Sequence, residues 1–331
     1  MKKVLSLILA LAMVFALVAC GEKQPASDGD ASSDGDKPAR GNVIMTFGTA
    51  DTGGSMYPAG AAVSQVWTNN VQGVKCNTQT STGSFQNCQD VSTGEVDVAV
   101  ATSDVVLNAY NGTGKFADIG KLDNLRVIGA VYTSVLSGVA LKSSGLTYIH
   151  ELLGKRVAVG PAASATENAT LAAFDVMGID SSNTSLENLG LGDGADSVGD
   201  GIFGFAGLPI GGQLNLAATK EIQVLDMTQE EIDKVLAGNA AYIQTKIPAG
   251  TYTGQDNDAN TFGVKCLIIV TADMDADLVY DLCKAMNEHT EELAAGNALL
   301  KDMTDPSFLC TQMPIPLHDG AQKYYSEQGL I

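Results

Sequence analysis

Apolar and polar positions along this chain fall into short blocks of two kinds. Residues 43–50, "VIMTFGTA", form an apolar run of strand length, and residues 58–69 space their apolar positions as a helix does. The pairing recurs. Residues 73–80, "GVKCNTQT", alternate like a half-buried strand, and residues 84–91 predict a helix with Ser84 at its N-cap. Residues 95–103, "EVDVAVATS", predict another strand, and residues 104–111 the helix after it. Residues 125–143, "LRVIGAVYTSVLSGVALKS", are too long for one ordinary strand of about six residues. Beyond them the alternation resumes. It gives a strand at 154–160, a helix at 165–178 closed by Gly178, short strands within 200–209 and at 221–226, and a helix at 227–236 with Thr228 as cap. A turn-rich segment, "IPAGTYTGQ" at 247–255, precedes a second long β run at 261–272. Helical spacing then dominates 276–300 and 320–328.

The two long β runs bracket the middle block. The economical topology is a pair of α/β lobes joined by a hinge of these two segments, lobe 1 from 43–135 plus 262–331 and lobe 2 from 136–261. Strand–helix alternation makes each lobe a mixed or parallel sheet flanked by helices. Ligands of such sheets bind beyond the carboxyl ends of the strands, where helices begin. Two facing lobes place those ends across a cleft.

The loops at the strand ends are small and rich in hydroxyls. "GTADTGGSMYPAG", residues 48–60, joins the first strand to the first helix. Free N–H groups at a helix start attract anions, and glycines let a ligand approach the backbone. No Gly-Lys-Ser/Thr follows, so this is not a phosphate loop, and no G-x-G-x-x-G marks a dinucleotide site. "TGSFQN" (82–87), "ATSD" (101–104), "GPAASATE" (160–167) and "GFAGLP" (204–209) repeat the arrangement. Glu167 falls in a first helical turn, where a carboxylate suits the helix dipole and caps. No G-x-S-x-G nucleophile elbow is present, and His150, His289 and His318 are isolated from one another and from every one of these loops. The chain therefore reads as a binding protein without catalytic residues, metal or cofactor. Of its three arginines, Arg40 precedes the folded body, Arg126 lies in a crossing strand and Arg156 in a strand that reads as buried. The latter two read as structural, which leaves anion capture to helix starts and hydroxyls rather than a guanidinium fork.

The N-terminus adds an address. Lys2 and Lys3 precede an apolar run from Val4 to Ala19, and "LVAC" ends at Cys20. The run is shorter than the roughly 20 residues of a spanning helix, and the pattern is that of a signal peptide, residues 1–20, of the bacterial lipoprotein kind. Cys20 would carry the lipid. Residues 21–42 are dominated by Ser, Asp, Gly and Pro and read as a disordered tether. Loss of Lys2 and Lys3 leaves 17 basic residues against 38 acidic, a formal charge of −21. That excludes nucleic acid as a partner. Five further cysteines, Cys76, Cys88, Cys266, Cys283 and Cys310, form no C-x-x-C and cannot all pair; they read as buried thiols, with one or two disulfides as the alternative in an exported protein.

The sequence resembles the TAXI family of solute receptors, the extracytoplasmic components of TRAP transporters. The resemblance rests on "GTADTGGSMYPAG", "TGSFQNCQDVSTGEVDVAVATSDV", "AYNGTG", "LRVIGAVY", "GKRVAVGPAASATE", "GLP", "IPAGTYTGQ" and "PIPLHDGAQKYYSEQGL", in order along nearly the whole body. It implies a type II periplasmic-binding-protein fold and a small carboxylate ligand such as glutamate, glutamine or 2-oxoglutarate. It also implies delivery to a fused TRAP membrane permease from the outer face of the cell membrane. Carried onto this chain, it implies that Gly54, Ser55 and Met56 offer amides, that Tyr57 donates or stacks, and that Ser84, Asn87 and Ser103 add side-chain bonds. Thr133, the turn Ser164, Ala165, Thr166 and the Gly207 region complete the set. Ala165 stands where the family usually has glycine, and residues 190–201, "GLGDGADSVGDG", are unusually glycine-rich and acidic. Both departures bear on the second lobe's contacts. Alternatives are a same-fold receptor serving an ATP-driven importer or a sensor, and a secreted enzyme on the same scaffold.

Overall fold

Strands β1 (Val43–Gly48), β2 (Val74–Gln79) and β3 (Val98–Thr102) alternate with helices α1 (Met56–Asn70), α2 (Ser84–Thr93) and α3 (Ser103–Asn111). The long strand β4 (Leu125–Leu141) follows. The middle block holds β5 (Arg156–Ala158), α4 (Ala165–Met177), β6 (Ser185–Glu187), α5 (Leu191–Val198), β7 (Phe203–Gly207), α6 (Gly211–Thr219), β8 (Ile222–Leu225), α7 (Gln229–Gly238) and β9 (Tyr242–Ile247). A second long strand, β10 (Ala259–Thr271), leads to α8 (Ala276–Glu288), α9 (Thr290–Gly296), α10 (Pro306–Cys310) and α11 (Asp319–Glu327). This computed structural model describes residues 41–201, 203–207 and 211–331. The expected signal segment with Cys20, and the expected tether apart from residues 41–42, lie outside the described residues.

The first half of the sheet runs β2-β1-β3-β10-β4, with β1 parallel to β2 and β3, and β10 antiparallel to β3 and β4. The late strand thus inserts between β3 and β4. β4 is 17 residues long and spans roughly 55 Å at about 3.3 Å per residue. Its far end pairs antiparallel with β7 and β8, while the early part of β10 pairs with β9. β7, β5 and β6 then run parallel. The result is an α/β architecture, a mixed sheet flanked by helices, whose two long strands carry the chain from one half to the other and back.

Each half has apolar layers on both faces of its sheet. In the first, Met45, Phe47, Val98, Val100, Cys266 and Ile268 face one layer, while Ala99, Ala101, Leu267 and Ile269 face the other. That alternation is the two-residue period of a strand buried on both sides. In the second half, Leu136, Ala140 and Phe262 face one layer, and Val139 and Ala259 the other. The five cysteines among the described residues are buried and unpaired. Burial pushes the Cys76 thiol up to about 11 and Cys266 up to about 12, so both stay protonated.

Three sequence expectations change. Gly83, not Ser84, is the N-cap of α2. The Ser84 hydroxyl instead accepts the Thr102 N–H (3.1 Å), because the helix already begins at Ser84 and the cap falls one residue earlier. Arg156 is exposed and bonds Glu187 (2.8 Å), since β5 buries only its last two residues. The helical stretch predicted over 276–300 breaks at His289 into α8 and α9.

Candidate functional site

The helix starts of the two halves face each other under the crossing strands. α1 begins at Met56 with Ser55 as N-cap, and α4 at Ala165 with Ser164 as N-cap. Ser164 is locked there because its hydroxyl accepts the Glu167 N–H (3.1 Å). The residues of both starts, Gly54, Ser55 and Met56 with Ser164, Ala165 and Thr166, line one slot. Thr82, Tyr132, Ser134 and Leu191 complete its walls. The slot holds about 40 Å³, and a smaller void of about 20 Å³ shares Ser134, Ala165 and Thr166 with it. That is room for about one water, whose share of liquid volume is about 30 Å³. The halves are pressed together here: a Cβ on Gly83 would lie 3.6 Å from the Ser164 Cα, and one on Gly54 would lie 2.9 Å from the Leu191 Cδ1. A solute of several heavy atoms enters only if the halves part.

Helix geometry fixes which N–H groups the slot can offer. The N–H of an N-cap and of the first three helical residues has no partner inside the helix. In α4 the Ser164 N–H goes to Pro161 O and the Glu167 N–H to the cap, which leaves Ala165 and Thr166. In α1 Pro58 has no N–H, which leaves Ser55, Met56 and Tyr57. The Gly54 N–H donates to Asp51 O (3.0 Å). Asp51 is the charged residue of the lining, and its Oδ1 accepts the Gly53 N–H (2.7 Å). Anion recognition in such a slot falls to backbone N–H groups at two positive helix ends and to hydroxyls.

The floor comes from β4. The Tyr132 hydroxyl lies 3.0 Å from Ser55 Oγ, and both side chains are buried. Burial holds the Tyr132 phenol well above its ordinary range, so it is a neutral donor. Tyr132 and Ser134 face the slot, whereas the Thr133 between them lies off the lining, its N–H donating to Asp302 (3.2 Å). The one-residue offset follows from the strand's period of two. Tyr132 and Ser134 escaped the sequence reading, while Asp51, Thr82 and Leu191 lie in segments it singled out without naming them individually. Both faces of β4 are buried or half-buried in this region, so no contrast between a wet and a dry face marked which one looks into the cleft.

The remaining predicted residues sit around the slot. Asn87 lies behind it, fully buried, its Nδ2 donating to Thr49 O (2.5 Å) and Val100 O (2.7 Å) and tying the ends of β1 and β3 together. Ser84 is buried beside it. Tyr57 is half-buried on α1, off the slot. Ser103 starts α3 and its hydroxyl reaches Ala241 O (3.4 Å) in the other half. Gly207 ends β7 opposite Leu136. A larger cavity of about 400 Å³ lies elsewhere in the second half, between Lys142, Tyr148, Asp226 and the 254–259 loop.

Two further ties join the halves beside the slot. Lys115 pairs with Glu167 of α4. Burial raises the Glu167 carboxyl, but Lys115, Asn188 and the Ala163 N–H outweigh it and hold the group below its ordinary range. Asp104 of α3 accepts bonds from Asn168 and Tyr242.

Residues 47–329 match the sequence model of the NMT1-like family, and the chain belongs to that family. Solved structures share its general shape at low identity. The alkanesulfonate-binding protein SsuA from Xanthomonas axonopodis pv. citri, bound to MOPS, is similar at a TM-score of 0.48 and 13% identity, covering 87% of this chain and 85% of that one. A putative L-cystine ABC transporter protein from Listeria monocytogenes is similar at 0.49 and 14%, covering 78% and 95%. The periplasmic aliphatic sulphonate-binding protein SsuA from Escherichia coli is similar at 0.43 and 12%, covering 86% and 82%. Among the described residues no helix is long and apolar enough to cross a membrane, and no cluster of three or more His, Cys, Asp or Glu could hold a metal.

Proposed function

We propose that this protein is an extracytoplasmic solute receptor of the TAXI type, which takes a small carboxylate between two hinged lobes and hands it to a TRAP permease. The lobes divide at 135/136 and 261/262, where β4 and β10 cross. The observation that carries the reading is the convergence of the α1 and α4 starts, one from each half, on one slot with a hydroxyl-bearing floor. The ordered motifs of the sequence favour the TAXI type and its TRAP partner. Glutamate, glutamine and 2-oxoglutarate are the ligand class. The Ser55, Met56, Ala165 and Thr166 amides hold the carboxylate, with the Tyr132, Ser134 and Ser164 hydroxyls around it and Gly54 allowing close approach. Ser84 and Asn87 set the loop geometry from behind, while Tyr57, Ser103, Thr133 and Gly207 shape the rim. A lipid on Cys20 keeps the receptor at the outer face of the membrane, near the permease. Contacts made to both lobes at once shift the open–closed equilibrium toward closure.

A thermal-shift screen over small carboxylates tests the reading. A true ligand at about 100 times its Kd raises stability by about 2.7 kcal/mol. Loss of one hydrogen bond to a charged ligand costs about 1.5–3 kcal/mol, so Ser134→Ala, which removes one of these hydroxyls, weakens that ligand tenfold or more. A flat screen across amino acids and dicarboxylates overturns the carboxylate assignment. Uptake by the reconstituted system in vesicles, driven by ATP rather than an ion gradient, overturns the TRAP assignment.

A further inference from the structure

Asp104 stands in the first turn of α3, in the first half, and is completely buried. Its Oδ2 accepts the Asn168 Nδ2 (2.5 Å) from α4 and the Tyr242 hydroxyl (3.1 Å) from β9, both belonging to the second half. Its Oδ1 has no hydrogen-bond partner. The Thr102 hydroxyl and the Val105 N–H also face the carboxyl, as do the Cys88 thiol of α2 and the Cys266 thiol of β10. The ammonium nearby, that of Lys115, is engaged by Glu167. So every group facing Asp104 is neutral, and every donor bond from the other half is lost when the halves part.

An ionised carboxylate fully buried between the halves, with one oxygen lacking a protein donor and no cation paired to it, is a costly arrangement. A carboxylic acid fits it: the proton resides on Oδ1, and Oδ2 serves as the carbonyl oxygen accepting two bonds. We propose that Asp104 enters the closed state as a neutral acid, so that closing the halves takes one proton from solvent and parting them returns it. The inference rests on the hinged cleft proposed above and adds its regulation. Burial, the largest influence on this carboxyl, raises it, and the donors offset only part of that. The sign follows. In the open form the carboxyl is wet and ionises in its ordinary range, so acidification favours closure and alkalinisation favours opening. Glu167 works oppositely. Its closing contribution is present above the ordinary carboxylate range and is lost only below it, so measurements above about pH 5 isolate Asp104.

The test needs no solute. Spin labels at Lys75→Cys and Lys155→Cys, exposed positions on opposite halves, report the lobe separation in ligand-free protein by pulsed electron resonance from about pH 5 to 8.5. The wild-type background is expected to favour the short distance at low pH, with a long-distance population growing as pH rises. Asp104→Asn, a neutral isostere, is expected to stay short throughout. Asn168→Ala and Tyr242→Phe, which leave the carboxyl in place, are expected to lengthen the distance at every pH. Every titratable group other than Asp104 is shared by wild type and Asp104→Asn, so a difference between their profiles belongs to Asp104. A wild-type distance that ignores pH, or an Asp104→Asn profile that follows wild type, overturns the proton coupling. If Asn168→Ala and Tyr242→Phe also leave the distance fixed, the hinged cleft falls with it.

Discussion

His318 links the end of the chain to β4. Its N–H donates to Val127 O (2.9 Å), and its Nδ1 accepts the Gly320 N–H (3.2 Å) as the N-cap of α11. A ring nitrogen that accepts must be unprotonated, so the cap requires neutral imidazole. Burial pushes the His318 pKa below its ordinary 6.5, against a smaller opposing pull from Asp319. A histidine favoured in its neutral form contributes stability that is present above the unfolded value and lost as pH falls below it. The melting temperature should therefore drop between about pH 7 and 5, and less steeply in His318→Asn, which caps without titrating. Equal slopes for the two proteins would remove His318 from the acid response. Ala163 is strained in another way. Its φ of 61° is left-handed, a conformation glycine adopts freely, and it sits where the Glu167 carboxylate accepts its N–H (2.7 Å). Ala163→Gly should raise stability by up to about 1 kcal/mol in urea denaturation, since the relief of roughly 1–2 kcal/mol of strain exceeds the added flexibility of the unfolded chain. A loss of stability would mean the turn is held without strain.

At the level of elements, α11 crosses α8 backbone to backbone. A Cβ on Gly320 would lie 2.1 Å from Ala276 O and 2.9 Å from Tyr280 N. Gly320→Ala must push the helices apart and loosen Ala321, Tyr324 and Tyr325, all buried in the first core. A loss of about 3 kcal/mol or more in urea denaturation is expected, at the upper end for overpacking because the clash is with main chain. A loss under about 1 kcal/mol would show that α11 can slide. This crossing explains why "PIPLHDGAQKYYSEQGL" is distinctive: the segment is structural. Tyr252 of "IPAGTYTGQ" is structural too, its hydroxyl donating to Gln213 (2.5 Å) and lying 3.1 Å from Ser137. The strongly patterned elements were legible in the sequence. The long runs expected at 125–143 and 261–272 became Leu125–Leu141 and Ala259–Thr271, and Thr228 caps α7 in a full capping box with Glu231. Five elements were not legible, among them α10, which is only five residues long. α5, "LGDGADSV", carries two glycines and two aspartates, poor helix formers. It exists because small residues pack it against α6, where a Cβ on Gly212 would lie 2.9 Å from that of Ala195. α6 itself begins with two glycines, and β6 is only three residues long. β9, "YIQTKI", buries only its two ends, so its polar middle hid the strand. At the site, the loops at the helix starts announced themselves by composition, whereas Tyr132 and Ser134 did not, because a strand buried on both faces carries no mark of which face is the cleft.

For the whole molecule, the two halves are held together by contacts that no solute makes. The Lys115–Glu167 pair joins the 3₁₀ turn after α3 to α4, and Lys115 lies outside the slot. Its lysine is 40% exposed and its glutamate 11%, so water and salt screen the attraction and a contribution of no more than about 1 kcal/mol is appropriate. Glu167 keeps its bonds from Ala163 and Asn188 when Lys115 is lost, so α4 should remain intact. A receptor whose binding-competent closure is only partly populated binds more weakly in proportion to that population. Lys115→Met should therefore weaken the ligand found by thermal shift by up to about fivefold without touching it, and the difference should shrink as salt is raised. Lys115→Glu should weaken it further, since two carboxylates then meet across the interface. Calorimetric titration at low and high salt decides the matter: if both variants bind as wild type does, the ion pair is a bystander, and closure is governed by the slot and by Asp104 alone.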